Sequence, residues 1–173
     1  MREAREREFD EFVLARQQRM LRTAYLLCGD WHLAEDLTQN ALAKVYVGWA
    51  RIQRVDNVDA YVHRMLFRTY VDTYRRRRKQ EILSAAVPDV ADSAGGADIA
   101  NRGEVRMALL AALARVTPRY RAVLVLRFWE DRSIGEAAEA LGISEGSVKS
   151  HTHRGLHQLR SVLGDQALDL IGN

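Results

Sequence analysis

Apolar residues recur three or four positions apart through the first 79 residues: Phe9, Phe12, Val13, Met20, Ala24, Leu27 and Cys28, then Leu33, Leu37, Ala41, Val45 and Trp49. That is the helical period, and the two-residue alternation of a half-buried strand is absent. Gly29-Asp30 separates the first two helices, since glycine suits a helix end and the aspartate oxygen can cap the helix that follows. The polar stretch 51–57 ends the second helix. A third is predicted from about residue 59 to 79, with Val62, Met65, Leu66, Thr69 and Thr73 on one face and the run Arg75, Arg76, Arg77, Arg78, Lys79 at its end. Three packed helices make the expected first module, residues 1–80.

Between residues 81 and 103 the pattern lapses into Ala, Asp, Ser and Gly with no aromatic residue. Such a stretch has little to bury and reads as a flexible tether between two modules. The second module, residues 104–173, opens with a helix whose face carries Val105, Leu109, Ala112, Leu113 and Val116. Thr117 at a cap and Pro118 at the first helical position start the next, over about 118–129. Ser133 and Glu136 have the reciprocal capping spacing and begin a short helix ending at Leu141-Gly142; Ser144 caps a longer final one. The fold class is therefore all-α: two small helical domains joined by a linker.

Two helices joined by a tight glycine-containing turn, with Ile134, Ala137, Ala138, Leu141, Ile143 and Val148 facing inward, form a helix-turn-helix signature in the second domain. At 100° per residue, Val148, Thr152, Gly155, Leu156, Leu159 and Leu163 fall on the inner side of the last helix. Ser147, Lys149, Ser150, His153 and Arg154 are left on the outer and flanking surface. The major groove admits one helix, and these side chains donate to base and phosphate acceptors. Any surface helix shows Ser, Lys and Arg to water; the tight turn with a cap on each helix favours DNA binding here.

Charge sharpens this division. Residues 1–79 hold 16 Lys/Arg against 11 Asp/Glu, residues 80–103 hold 1 against 4, and residues 104–173 hold 9 against 8. The excess of cations thus lies in the first module. Arg64 and Arg68, at i, i+4 spacing, extend the basic run through Arg75 and Arg76, so the third helix could lie along a phosphate backbone. Cations also suit a helix C-terminus with no partner at all. Tyr61, Tyr70 and Tyr74 could stack on unpaired bases or be half-buried core.

Cys28 is the single cysteine, which excludes an internal disulfide and a cysteine-based zinc site and reads as a small core residue. No apolar run approaches the roughly 20 residues of a membrane span, and the charged start lacks the apolar middle of a secretory signal. The expectation is a cytoplasmic protein with no membrane contact.

Three blocks together resemble the extracytoplasmic-function (group four) sigma factors of RNA polymerase, closest to the actinobacterial sigma-E-like branch. Ala34-Glu35-Asp36-Leu37-Thr38-Gln39-Asn40-Ala41-Leu42 resembles the segment that docks on the clamp helices of the polymerase beta-prime subunit. Residues 59–66, then Thr69-Tyr70 and Arg75 to Arg78, resemble the region that recognises and melts the minus-ten element. Residues 121–131 and 142–150 resemble the region that reads the minus-thirty-five element. The resemblance implies an alternative sigma factor with core RNA polymerase (beta-prime clamp helices and beta flap) and promoter DNA as partners, an anti-sigma factor as a further candidate, and no cofactor or enzymatic activity. It further implies polymerase contacts at Asp36, Gln39 and Asn40. Minus-ten contacts fall at Asn57, Arg64, Arg68, Arg75 and Arg76, and minus-thirty-five contacts at Ser147, Lys149, Ser150, His153 and Arg154. Asn40, Arg68 and His151 depart from the usual residues of the branch.

Two rival functions fit parts of the sequence. A dimeric helix-turn-helix regulator would leave residues 36–42 as plain helix surface. A metal-dependent helical enzyme would need histidine ligands; His151 and His153 diverge by about 200° on a helix, whereas His153 and His157 share a face without a carboxylate pattern around them.

Overall fold

The structure, a computed structural model, describes residues 1–84 and 102–164. The stretch 85–101, most of the expected tether, lies outside the described residues, as does 165–173. Three helices form the first group: α1 (Arg2–Cys28), α2 (Trp31–Ile52) and α3 (Val58–Ser84). The second group comprises α4 (Arg102–Ala114), α5 (Pro118–Leu124), α6 (Ile134–Leu141) and α7 (Glu145–Leu163). Among the described residues there are no strands.

The local signals act as their chemistry dictates. Gly29 adopts φ 71°, a left-handed turn, and its N–H donates to Tyr25 O at 2.8 Å. Asp30 then accepts from the Leu33 amide at 3.0 Å. The capping box forms in full: the Glu136 amide donates to Ser133 Oγ (3.1 Å), and the Ser133 amide to Glu136 Oε2 (2.8 Å). Ser144 caps α7 by accepting from the Ser147 amide at 3.1 Å.

Three details differ from the reading of the sequence. α3 runs five residues past Lys79, because residues 80–84 contain no glycine or proline to stop it. Thr117 makes no side-chain cap; its amide donates to Gln158 Oε1 (2.8 Å) and its hydroxyl accepts from Gln158 Nε2 (3.0 Å), so it ties α5 to α7 instead. The helix expected over 118–129 widens after Leu124 into a π-helical segment, Val125–Trp129, closed by the Glu130 N–H, which donates to Val125 O at 2.9 Å.

The two helix groups share one core. Met20, Leu27, Leu66 and Phe67 from the first are buried in the same cluster as Val123, Leu126, Ala137 and Val148 from the second. Polar links reinforce it. Arg121 of α5 is buried, and its guanidinium donates to Leu27 O (2.6 Å) at the end of α1, to Ala114 O (2.6 Å) at the end of α4 and to Val116 O (2.9 Å) just beyond it. These carbonyls lie at or beyond the ends of helices, where backbone acceptors lack helical donors, so one buried cation satisfies three of them. Arg64 of α3 pairs with Glu139 of α6, and the Tyr70 hydroxyl donates to Pro118 O at 3.4 Å.

Candidate nucleic-acid interface

Helices α6 and α7 meet at a turn centred on Gly142, whose φ of 66° lets its N–H reach the end of α6. Val148 seats the start of α7 on the shared core, Leu159 seats its later turns on a smaller cluster with Ala112, Val116, Tyr120 and Leu124, and Gly155 is buried between them, with Thr152, Leu156 and Leu163 half-buried alongside. Gly155 is required by proximity: a Cβ there would stand 3.1 Å from Leu124 Cγ and 3.2 Å from Tyr120 Cβ. This seam turns Lys149, Ser150, His153 and Arg154 outward, all exposed. Ser147 is half-buried, and its hydroxyl accepts from Ser144 Oγ at 2.9 Å, so it is part of the cap as well as of the surface.

On α2, Asp36, Gln39 and Asn40 are exposed and adjacent, because Ala34, Leu37, Thr38, Ala41 and Leu42 take the buried positions. Val47, two turns on from Asn40, is also exposed. That helix therefore offers a mixed acidic, amide and apolar face.

The candidates around α3 are divided. Arg68, Arg75 and Arg76 are exposed, whereas Arg64 is half-buried and held by Glu139. Asn57 is exposed, and its side-chain oxygen accepts from the Ala60 amide at 3.0 Å, which opens α3 in the manner of a cap. Tyr61 and Tyr74 are half-buried, but Tyr70 is buried against α5, and that burial pushes its phenol up to about 12. In this arrangement Tyr70 belongs to the core rather than to a base-stacking surface.

Cys28 is half-buried, its thiol donates to Ala24 O at 3.0 Å, and burial raises its pKa. Among the described residues no group of three or more His, Cys, Asp or Glu could hold a metal ion, and no helix is long and apolar enough to cross a membrane.

The sequence assigns no role to His63 and Glu130, which meet between the groups, or to Arg119, Tyr120 and Arg121 at the start of α5. Arg121 left one signal: a lone cation heading the apolar run 122–126. His63 and Glu130 left none, since residues 67 apart are paired only by the fold.

Comparison with known proteins agrees with the order of these elements. Residues 12–80 match the family described as Sigma-70 region 2, and residues 106–159 match Sigma-70, region 4. The chain is 38% identical over 162 residues to the RNA polymerase sigma-E factor of Streptomyces coelicolor, covering 94% of this chain and 89% of that one. It is 39% identical to the RNA polymerase sigma-E factor of Streptomyces antibioticus, over 94% and 88% of the two chains. Among solved structures it resembles the sigma factor RpoE from Bartonella quintana, in a co-crystal with the anti-sigma factor NepR. There the TM-score is 0.69 and the identity 21%, over 91% of this chain and 98% of that one.

Proposed function

From the premise that this chain belongs to the sigma-70 family, as an extracytoplasmic-function sigma factor, we propose how its residues divide the work of promoter recognition. It is an alternative sigma factor: it binds core RNA polymerase and promoter DNA and directs promoter-specific initiation. The family is non-enzymatic, and we assign this chain no chemistry of its own. We place it in the cytoplasm, with the polymerase.

Residues 1–80 form the unit for polymerase and the minus-ten element, residues 104–173 the unit for the minus-thirty-five element, and residues 81–103 the link. Asp36, Gln39 and Asn40 meet the beta-prime clamp helices; Asn57, Arg64, Arg68, Arg75 and Arg76 meet minus-ten DNA. Ser147, Lys149, Ser150, His153 and Arg154 meet minus-thirty-five DNA. The observation that carries this is the outer face of α7, where four donor-bearing side chains stand exposed above a seam of Val148, Gly155 and Leu159. Such a face suits a major groove, where Arg and Lys bind guanine O6 and N7. The two contacts reinforce each other because holding one on the polymerase raises the local concentration of the other.

An anti-sigma factor is a further partner in this reading. An apolar cleft of about 760 Å³, lined by Trp31, Leu110, Leu113, Phe128, Trp129 and Leu156, suits an amphipathic helix from it. Trp31, Phe128 and Trp129 are each about half exposed there, an unusual cost for a surface meant to stay in water.

In-vitro transcription tests the assignment. With a matching core polymerase, the factor supports initiation at defined start sites, and the quadruple Ala variant at Lys149, Ser150, His153 and Arg154 loses it. Initiation by core polymerase that stays random with the wild-type factor present would sink the reading.

A further inference from the structure

Tyr120, in the first turn of α5, lies beneath α7 with only 6% of its surface exposed. Its hydroxyl oxygen accepts from Nη1 of Arg154 and from Nη2 of Arg119, each at 3.4 Å. The Arg119 guanidinium carbon lies 5.1 Å from the Tyr120 ring centroid, and the His151 ring packs against the same tyrosine with centroids 5.1 Å apart. The Tyr120 Cβ packs so close to Gly155 that a methyl group there would stand 3.2 Å from it, and Thr117, three residues earlier, is tied to α7 by two hydrogen bonds with Gln158. The start of α5 and the middle of α7 are thus joined by both packing and hydrogen bonds.

Two like charges converge here on one neutral oxygen. They repel each other, and among the described residues neither has a carboxylate within ion-pair distance. Each guanidinium has five donor hydrogens and gives only part of that capacity to the phenol. With no negative charge paired to them among the described residues, the two arginines also act on their neighbours: the Arg154 contact, opposed by burial and reinforced by Arg119, pulls the Tyr120 phenol below its usual range, and burial first, then both arginines, lower the pKa of His151. Duplex DNA supplies that charge through its phosphates.

We propose that Tyr120 is a positioning residue for promoter reading. Its hydroxyl holds Arg154 at the outer face of α7 in the orientation a base edge requires, and Arg119, anchored to the same oxygen, contacts a neighbouring phosphate. This rests on the assignment of Arg154 to minus-thirty-five DNA. A long side chain fixed before binding loses less rotamer entropy on the DNA, and a fixed guanidinium discriminates better among base edges.

The test uses holoenzyme bound to a promoter library with the upstream element randomised, bound fragments being sequenced, alongside affinities measured over a range of salt. Arg154→Ala should lose about tenfold preference at one position. Tyr120→Phe, which keeps the ring against His151, should lose roughly threefold or more at that same position with an unchanged melting temperature, and the double variant should be no worse than Arg154→Ala. Arg119→Ala should weaken all sequences alike and reduce the salt slope by about one. Wild-type preference in Tyr120→Phe, additive losses in the double variant, or an unchanged salt slope in Arg119→Ala would each overturn the proposal while Arg154 still read its base. A flat profile for Arg154→Ala itself would remove the base-reading assignment, and the role of Tyr120 with it.

Discussion

A carboxylate oxygen of Glu130, just after the π-helical segment, lies 3.1 Å from Nε2 of His63 on α3. The other ring nitrogen of His63 is 2.8 Å from Asp59 O. Glu130 also accepts from the Thr23 hydroxyl at 2.5 Å and from Arg19 at 3.3 Å, both on α1, and its side chain is only 1% exposed. A single carboxylate of the second helix group is therefore held by two helices of the first. A buried charge is tolerable only when so well partnered.

Glu130→Ala should therefore cost about 3 kcal/mol, since it leaves the Thr23 hydroxyl and the His63 ring facing a void. Glu130→Gln keeps volume and an acceptor for Thr23 and should cost less. Urea denaturation of the three proteins measures both; an Ala variant as stable as the parent would show that the groups do not depend on this contact.

The same residue predicts a pH dependence. Burial raises the pKa of Glu130, but the contacts from His63, Thr23 and Arg19 outweigh it and bring the group down from 4.5 to about 2. A depressed folded value means that the stabilisation is present above pH 4.5 and is lost as pH falls from there through about 2. The stability gap between wild type and Glu130→Gln should be largest near neutrality and should narrow across that window in acid titrations followed by denaturation.

Gly155→Ala sets two effects against each other. Alanine favours a helix by about 1 kcal/mol over glycine, but its Cβ would press on Leu124 Cγ and Tyr120 Cβ at 3.1 and 3.2 Å. Both atoms sit close to the α5 backbone, so relief requires moving α5 from α7. Overpacking of this kind costs about 1 to 3 kcal/mol, and the net outcome should be a loss of about 1 kcal/mol, read by thermal melting, with weaker promoter binding.

Asp36→Lys should reduce assembly with core polymerase by roughly tenfold, about 1.4 kcal/mol. It should leave the melting temperature alone, because Asp36 is exposed on α2 and makes no ion pair among the described residues. Competition with wild-type factor for limiting polymerase provides the measurement.

Arg76→Ala combined with Arg77→Ala should weaken holoenzyme binding to promoters and flatten its salt dependence by about one unit of slope for each phosphate no longer neutralised. Both residues are exposed near the end of α3. An unchanged slope would leave them as solvated helix-end cations.

Much of the site is legible in the order of residues alone. The inner seam of α7 follows from the helical period, which puts Val148, Gly155 and Leu159 on one face and leaves Lys149, Ser150, His153 and Arg154 opposite. Asp30, Ser133 and Ser144 declare the helix starts because a cap is a contact between residues three apart. Tyr70 could not be placed, since one face of α3 is apolar toward α2 and another is covered by α5, and period alone does not separate two buried faces from one.

What depends on neighbours a few residues away is written in the order of residues: the helices, most of their caps and turns, the exposed outer face of α7, and the family these resemble. What depends on distant partners came only with the three-dimensional packing. It brought Glu130 against Thr23 and His63, seated Arg121 on the carbonyl of Leu27, and closed Arg64 against Glu139. Periodicity records which face of a helix avoids water but not which helix covers it, so an ion pair spanning 75 residues has no local trace.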